Sequence, residues 1–242
     1  MFAHALRSVR RLALPALCGS AVMIGASAKA DFVSTWDTVA NVRSAKAEFQ
    51  AVGDTLTITL TNLTANPGSA ADLLTRLQFQ FTSGGPTTGS LTSSSGDEVS
   101  LAKVGGNTVA TPGSSGVATG WNLSSSSGVL QLSMVGAPIA PKHGILGPAG
   151  SGGYYNNANP SLLGNHNPFL NGSATFVLNI NGLANSGATI SSATFIFNTE
   201  ANISVDGKPG SNVIPEPSSV LMGGMALAAL VGFSRFRRGR SA

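Results

Sequence analysis

Between residues 31 and 214 the chain carries two histidines, His143 and His166, and a thin scatter of carboxylates. Each histidine stands among Gly, Pro and Asn, with no acid next to it in sequence, and the expectation is a pair of surface loop histidines. A zinc site would need two or three such ligands at motif spacing, and no HExxH or related pattern occurs. "AGSGG" at 149–153 has the look of a serine nucleophile loop but lacks the preceding Asp, and Gly and Ser are abundant throughout. Asp97 and Glu98 are adjacent and would point to opposite sides of a strand or sit in a turn, and the other acids are scattered singly, so the sequence offers no carboxylate pair of the kind a glycosidase needs. A hydrolase would need at least two of Asp97, Glu98, His143, His166 and Glu200 to meet in one cleft. No cofactor or metal is expected, and no catalysis.

Binding chemistry has more to work with. Trp36, Trp121, Tyr154 and Tyr155 are the four Trp and Tyr residues of the chain, and sugar rings stack on such faces. "WNLSSS" and "GGYYNN" set Trp121, Tyr154 and Tyr155 beside Asn and Ser that could bond to sugar hydroxyls. These three are the candidate glycan contacts. The competing reading buries the tryptophans in a core and uses the tyrosines to anchor a loop. Asn62, Asn122, Asn171 and Asn202 each begin an Asn-x-Ser/Thr triplet, which this composition produces by chance.

The elements that must position these residues are strands. Helical periodicity is almost absent from 31 to 214, whereas period-two alternation recurs between Gly, Asn, Ser and Pro breakers. Ala45, Ala47 and Phe49 alternate with polar neighbours, and after Gly53-Asp54 so do Leu56, Ile58 and Leu60, which predicts a hairpin with one buried face. Further strands are expected through Leu77, Phe79 and Phe81, more weakly around Val99 and Leu101, and through Leu130, Leu132 and Met134. The last two run through Phe176, Leu178 and Ile180, and through Phe195 and Phe197. Val177 and Ile196 make the other face of these last two apolar as well, which suits inner strands. The one short helix the body could hold is "SAADLLTRL", which could equally run straight into the next strand. Eight to ten mostly antiparallel strands predict an all-β body, a β-sandwich or jelly roll.

One stretch, 136–172, has five prolines, many Gly and Asn and no sustained alternation. A loop of that length is expected to be functional or mobile. It also holds both histidines of the body and both tyrosines.

Charge separates the body from the ends. The whole chain has a formal charge of +4, yet between 31 and 214 six Lys/Arg face nine Asp/Glu, a net of −3. The basicity therefore sits in the two ends, and the body lacks the clustered cations that nucleic-acid binding requires. At the start, Arg7, Arg10 and Arg11 precede the apolar run Leu12 to Ala26, and Ala28-Lys29-Ala30 follows. This is the pattern of a secretory signal peptide, with small residues Ala28 and Ala30 at the cleavage position. The single Cys18 falls inside it, so the exported body has no thiol and no disulfide.

The other end is "VIPEPSSVLMGGMALAALVGFSRFRRGRSA", residues 213 to 242. Residues 218–233 form an apolar run of sixteen, long enough to span a bilayer with its flanks, and Arg235, Arg237, Arg238 and Arg240 stop transfer and stay in the cytoplasm. Pro215, Glu216 and Pro217 precede the run, and the two prolines hold an extended backbone just outside the membrane, where a protease could bind it as a strand.

Tripeptide, apolar span with Gly223 and Gly224, basic stop and position together resemble the PEP-CTERM sorting signal of bacterial exported proteins. The resemblance covers about the last thirty residues. It implies processing near Pro215-Glu216-Pro217 by an exosortase, a membrane-embedded cysteine protease, in a Gram-negative bacterium that makes exopolysaccharide. The expected organisation is thus a signal peptide at 1–30, a β body at 31–208, a linker at 209–214 and a sorting tail at 215–242. The expected function is that of an exported surface or matrix protein whose partners are the protease, the inner membrane and exopolysaccharide. The alternatives are a carbohydrate-binding module and a secreted hydrolase.

Overall fold

The computed structural model of the chain describes residues 32–38, 43–200 and 202–210. The expected signal peptide, sorting motif and transmembrane segment 218–233 lie outside the described residues. Among the described residues no helix is long and apolar enough to cross a membrane.

The described residues form twelve strands: β1 (Phe32–Thr38), β2 (Ala45–Val52), β3 (Thr55–Asn62), β4 (Leu74–Phe81), β5 (Ser90–Val104), β6 (Asn107–Pro112), β7 (Asn122–Ser126), β8 (Val129–Ser133), β9 (Ile145–Leu146), β10 (Phe169–Asn179), β11 (Ile190–Phe197) and β12 (Ile203–Pro209). One short helix, α1 (Leu183–Ser186), joins β10 to β11. The segment "SAADLLTRL" holds a single 3-10 turn, Ala70–Asp72, before β4 begins.

Each hairpin is closed by the residues its turn demands. Val52 pairs with Thr55, so Gly53-Asp54 is a two-residue loop, and Gly53 adopts φ 61° at its first position. Val104 pairs with Asn107 across Gly105-Gly106, both with positive φ. That glycine pair is a hairpin turn that matches strand twist.

All twelve strands belong to one sheet, in the order β6-β5-β10-β3-β2-β1-β12-β11-β4-β8-β7, and β9 bridges β10 and β4. Ile145 pairs with Leu170 in parallel and with Leu74 in antiparallel fashion, which closes eight strands, β10-β3-β2-β1-β12-β11-β4-β9, into a barrel. The expected all-β antiparallel body is found, but as a barrel with added strands where a sandwich or jelly roll was expected. Alternation marks one buried face per strand and is satisfied by either architecture. What decides is the two-residue strand Ile145–Leu146, which sits inside the irregular stretch and has no periodic signature.

The barrel is filled by its own side chains, as small barrels are. Ala45, Ala47 and Ala51 of β2 are fully or almost fully buried opposite large neighbours, and Phe49 of the same strand lies 5.4 Å from Phe79 of β4. Leu56, Ile58, Leu60, Phe176, Leu178, Phe195 and Phe197 complete the filling. Each such burial contributes about 1.5–3 kcal/mol. A Cβ on Gly207 of β12 would lie 3.0 Å from the Phe195 ring, so the missing side chain makes room for that phenylalanine.

The 136–172 stretch is packed. Leu146, Tyr155, Leu162 and Phe169 join Leu73, Val99 and Leu101 in a second, smaller cluster at one end of the barrel. A 3-10 turn, Pro160–Leu162, is capped by the Asn159 side chain, which accepts from the Ser161 amide. Prolines and asparagines here serve turn geometry and caps, which is why no period shows in the sequence.

Candidate functional site

The one place in the described body where an imidazole meets a carboxylate is at the seam where the barrel closes. Glu98 lies on β5, and His143 lies in the loop just before β9. His143 Nε2 stands 2.9 Å from Glu98 Oε1, and Nδ1 stands 2.9 Å from the Thr119 carbonyl oxygen. The histidine is 4% exposed. This corrects the expectation of a surface loop residue. His143 takes φ 61° and its amide donates to the Pro168 carbonyl, so the backbone itself turns the ring inward.

The hydrogen inventory constrains what this pair can be. Thr119 O only accepts, so Nδ1 carries a hydrogen. The Nε2–Glu98 contact then requires a second proton, on the ring or on the carboxyl. A carboxylate holding Nδ1 of a histidine whose Nε2 faces a hydroxyl is the arrangement of a nucleophile-activating base. Here the roles differ. Nδ1 is taken by a backbone carbonyl and Nε2 by the acid, which leaves no ring nitrogen for a nucleophile.

The surroundings show what the pair holds together. The His143 carbonyl accepts from Trp121 Nε1 at 2.9 Å. Trp121 N donates to Thr119 Oγ1, and that hydroxyl donates to Ser94 Oγ at 2.8 Å. The Trp121 ring, 2% exposed, packs on Phe176 of β10 at 5.1 Å between centroids. Three segments distant in sequence, β5, 119–121 and 143–145, are thereby tied across the seam. Sequence spacing alone gave no signal for this pair.

The other candidates are dispersed. Asp97 points away from Glu98 and accepts from the Gly116 amide. His166 Nδ1 contacts the Ser161 carbonyl at 2.8 Å. Glu200 accepts from Asn202 Nδ2 at 3.4 Å. Among the described residues no group of three or more His, Cys, Asp or Glu could hold a metal ion. Of the three aromatics considered for glycan stacking, Trp121 and Tyr155 are buried and Tyr154 is 37% exposed, so no stacking pair is presented. Tyr155 OH donates to the Gly147 carbonyl at 3.1 Å, and burial pushes its hydroxyl above the ordinary tyrosine value. No protein-family model matches this chain, and neither a curated protein nor a solved structure shows significant similarity to it.

Asn62 is a structural residue that its Asn-x-Thr triplet disguises. It is 1% exposed, donates to the carbonyls of Asp72 and Ile145, and accepts from the Thr64 amide. Its bond to Ile145 joins the end of β3 to the closing strand. The sorting residues Pro215, Glu216 and Pro217, the arginines from Arg235 to Arg240, and Ala28 and Ala30 lie outside the described residues.

Proposed function

We propose that this chain is an exported, non-catalytic surface or extracellular-matrix protein. Its β barrel is delivered outside the cytoplasm by the N-terminal segment and held at the inner membrane by the C-terminal tail until a membrane-embedded protease of the exosortase type acts near Pro215-Glu216-Pro217. The observation that carries this reading is the coincidence, within the last thirty residues, of that tripeptide, the apolar run 218–233 and the arginines from Arg235 to Arg240.

The body is consistent with a scaffold. Its interior is occupied by its own phenylalanines and leucines, and its imidazole–carboxylate pair is engaged in closing the seam. Arg43 and Lys46 are paired with Asp72 and Glu48, which argues against a phosphate-tracking surface. A matrix role makes exopolysaccharide the expected neighbour. Tyr154 is the one candidate aromatic left to touch it.

Peptide mass spectrometry of the native protein, from washed cells and from the culture matrix, tests the reading. The expected result is an N-terminus at Asp31 and a matrix form ending near Pro215. An intact tail recovered only from membranes would overturn processing, and a cytoplasmic chain retaining residues 1–30 would overturn export.

A further inference from the structure

The barrel has two unlike ends; β1 begins at one of them and β12 runs toward it. β12 runs antiparallel to β1, with Trp36 opposite Pro209 and Thr38 opposite Gly207. It therefore heads toward the end where Phe32 pairs with Ala51 beside the Gly53-Asp54 turn. Gly210 N donates to the Thr35 carbonyl at 2.7 Å, already on that course. Phe32, the first residue of β1, starts at the same end. So do the loop 82–89, the Ser127-Gly128 turn and α1, because Phe81 pairs with Ile190, Phe79 with Leu130, and Asn179 with Thr55 and Ser90.

This end is almost free of charge. Among the described residues on those turns, Asp54 is the one ionic side chain, and its carboxylate accepts from the Ala184 amide at 2.9 Å. The far end, beyond the β9 closure, carries the Arg43–Asp72 pair, Lys103, Lys142 and Glu200. Bringing this rim against lipid headgroups costs hydration at Asp54, whose carboxylate already accepts one amide hydrogen, and at the mature N-terminus beside Phe32, whereas the far end would lose hydration at more ions.

Chain length sets the geometry. From Gly210 to Ser218, where the apolar run begins, eight residues reach at most about 29 Å when extended. Gly210 stands opposite Thr35, midway along β1, so about three more residues on the course of β12 bring the chain to the Val52–Thr55 end and about five remain to meet the bilayer, whereas presenting the far end would require the chain to reverse direction.

We propose that the tethered barrel stands on the bilayer with the Val52–Thr55 turn rim facing the lipid, and with the end that holds the 136–172 stretch facing outward, toward the matrix. This rests on the tail spanning the membrane as proposed above. The lipid surface is thus the partner of the sparsely charged rim, and the more highly charged end is what other matrix components meet.

Fluorophores at single cysteines test it. The full chain carrying Cys18→Ser, purified from membranes of producing cells, is labelled at Val52→Cys or at Asn165→Cys. It is then reconstituted in phosphatidylethanolamine–phosphatidylglycerol vesicles bearing a headgroup quencher. Thr88→Cys and Lys103→Cys form a second pair, one at each end, should either first variant misfold. The expected result is co-flotation with vesicles and quenching at least threefold stronger at 52 and 88 than at 165 and 103. Flotation with equal quenching, or with the order reversed, overturns the orientation while leaving the anchor intact. Failure to float overturns the anchor reading, and the orientation with it.

Discussion

His143 Nε2 and Glu98 Oε1, 45 residues apart in sequence, meet at 2.9 Å beneath the strand that closes the barrel. The bond is a clasp between chain segments, and its chemistry can be tested by supplying the missing hydrogen another way. Glu98→Ala leaves the buried ring nitrogen without a partner and should cost about 2 kcal/mol. Glu98→Gln offers an amide N–H to a neutral ring, so its cost should stay under about 1 kcal/mol. Urea unfolding of the two variants compares them directly. Equal losses would mean that the carboxylate's charge, and not its hydrogen-bond geometry, holds the seam.

The Tyr155 phenol makes the body less stable at alkaline pH. Burial raises it, so the folded chain holds that proton more tightly than the unfolded one. Its contribution is fully present below about pH 10, the unfolded value, and is lost as pH rises through the higher folded value. Tyr155→Phe should lower stability at neutral pH by about 1 kcal/mol, through the lost bond to Gly147 O, and should flatten the decline above pH 10. Thermal melts at a series of alkaline pH values would show whether the two curves converge.

Trp121 and Tyr154 separate core from surface. Trp121→Ala removes a ring buried against Phe176 and should cost about 3–5 kcal/mol. Tyr154→Ala, at a partly exposed position, should stay within about 0.5 kcal/mol. If exopolysaccharide retention by the purified body falls in Tyr154→Ala with no change in melting temperature, Tyr154 is a sugar contact in its own right.

Gly147 tests the closure from the backbone side. A Cβ there would stand against the Thr64 carbonyl, at a distance no real contact reaches, with the Asn62 side chain close by. Gly147→Ala must therefore push the closing segment off β3, at a cost of about 3 kcal/mol or more. Differential scanning calorimetry should show a large drop in melting temperature, while Gly164→Ala, with only a distant Pro160 carbonyl nearby, should be close to neutral.

Most of the strands were legible because the rule that makes them is local. Leu56, Ile58 and Leu60 alternate with threonines, and they are buried because a pleated strand turns every second side chain to the same face. The same rule located Phe79, Phe176 and Phe195. It missed the first half of β5, whose serines offer no apolar partner to the core and are held by pairing with β10, the bonds from Thr119 to Ser94 and the Gly96–Val117 bridge.

The sequence by itself determined an all-β body with no cysteine, bracketed by two apolar, arginine-flanked ends, because composition, alternation and charge are properties of neighbouring residues. Tertiary structure alone decided that the sheet closes, that Ile145–Leu146 closes it, and that His143, Glu98 and Trp121 meet at the seam. Those contacts join residues tens of positions apart. Their partners are chosen by the twist and register of the whole sheet, which no short window of sequence contains.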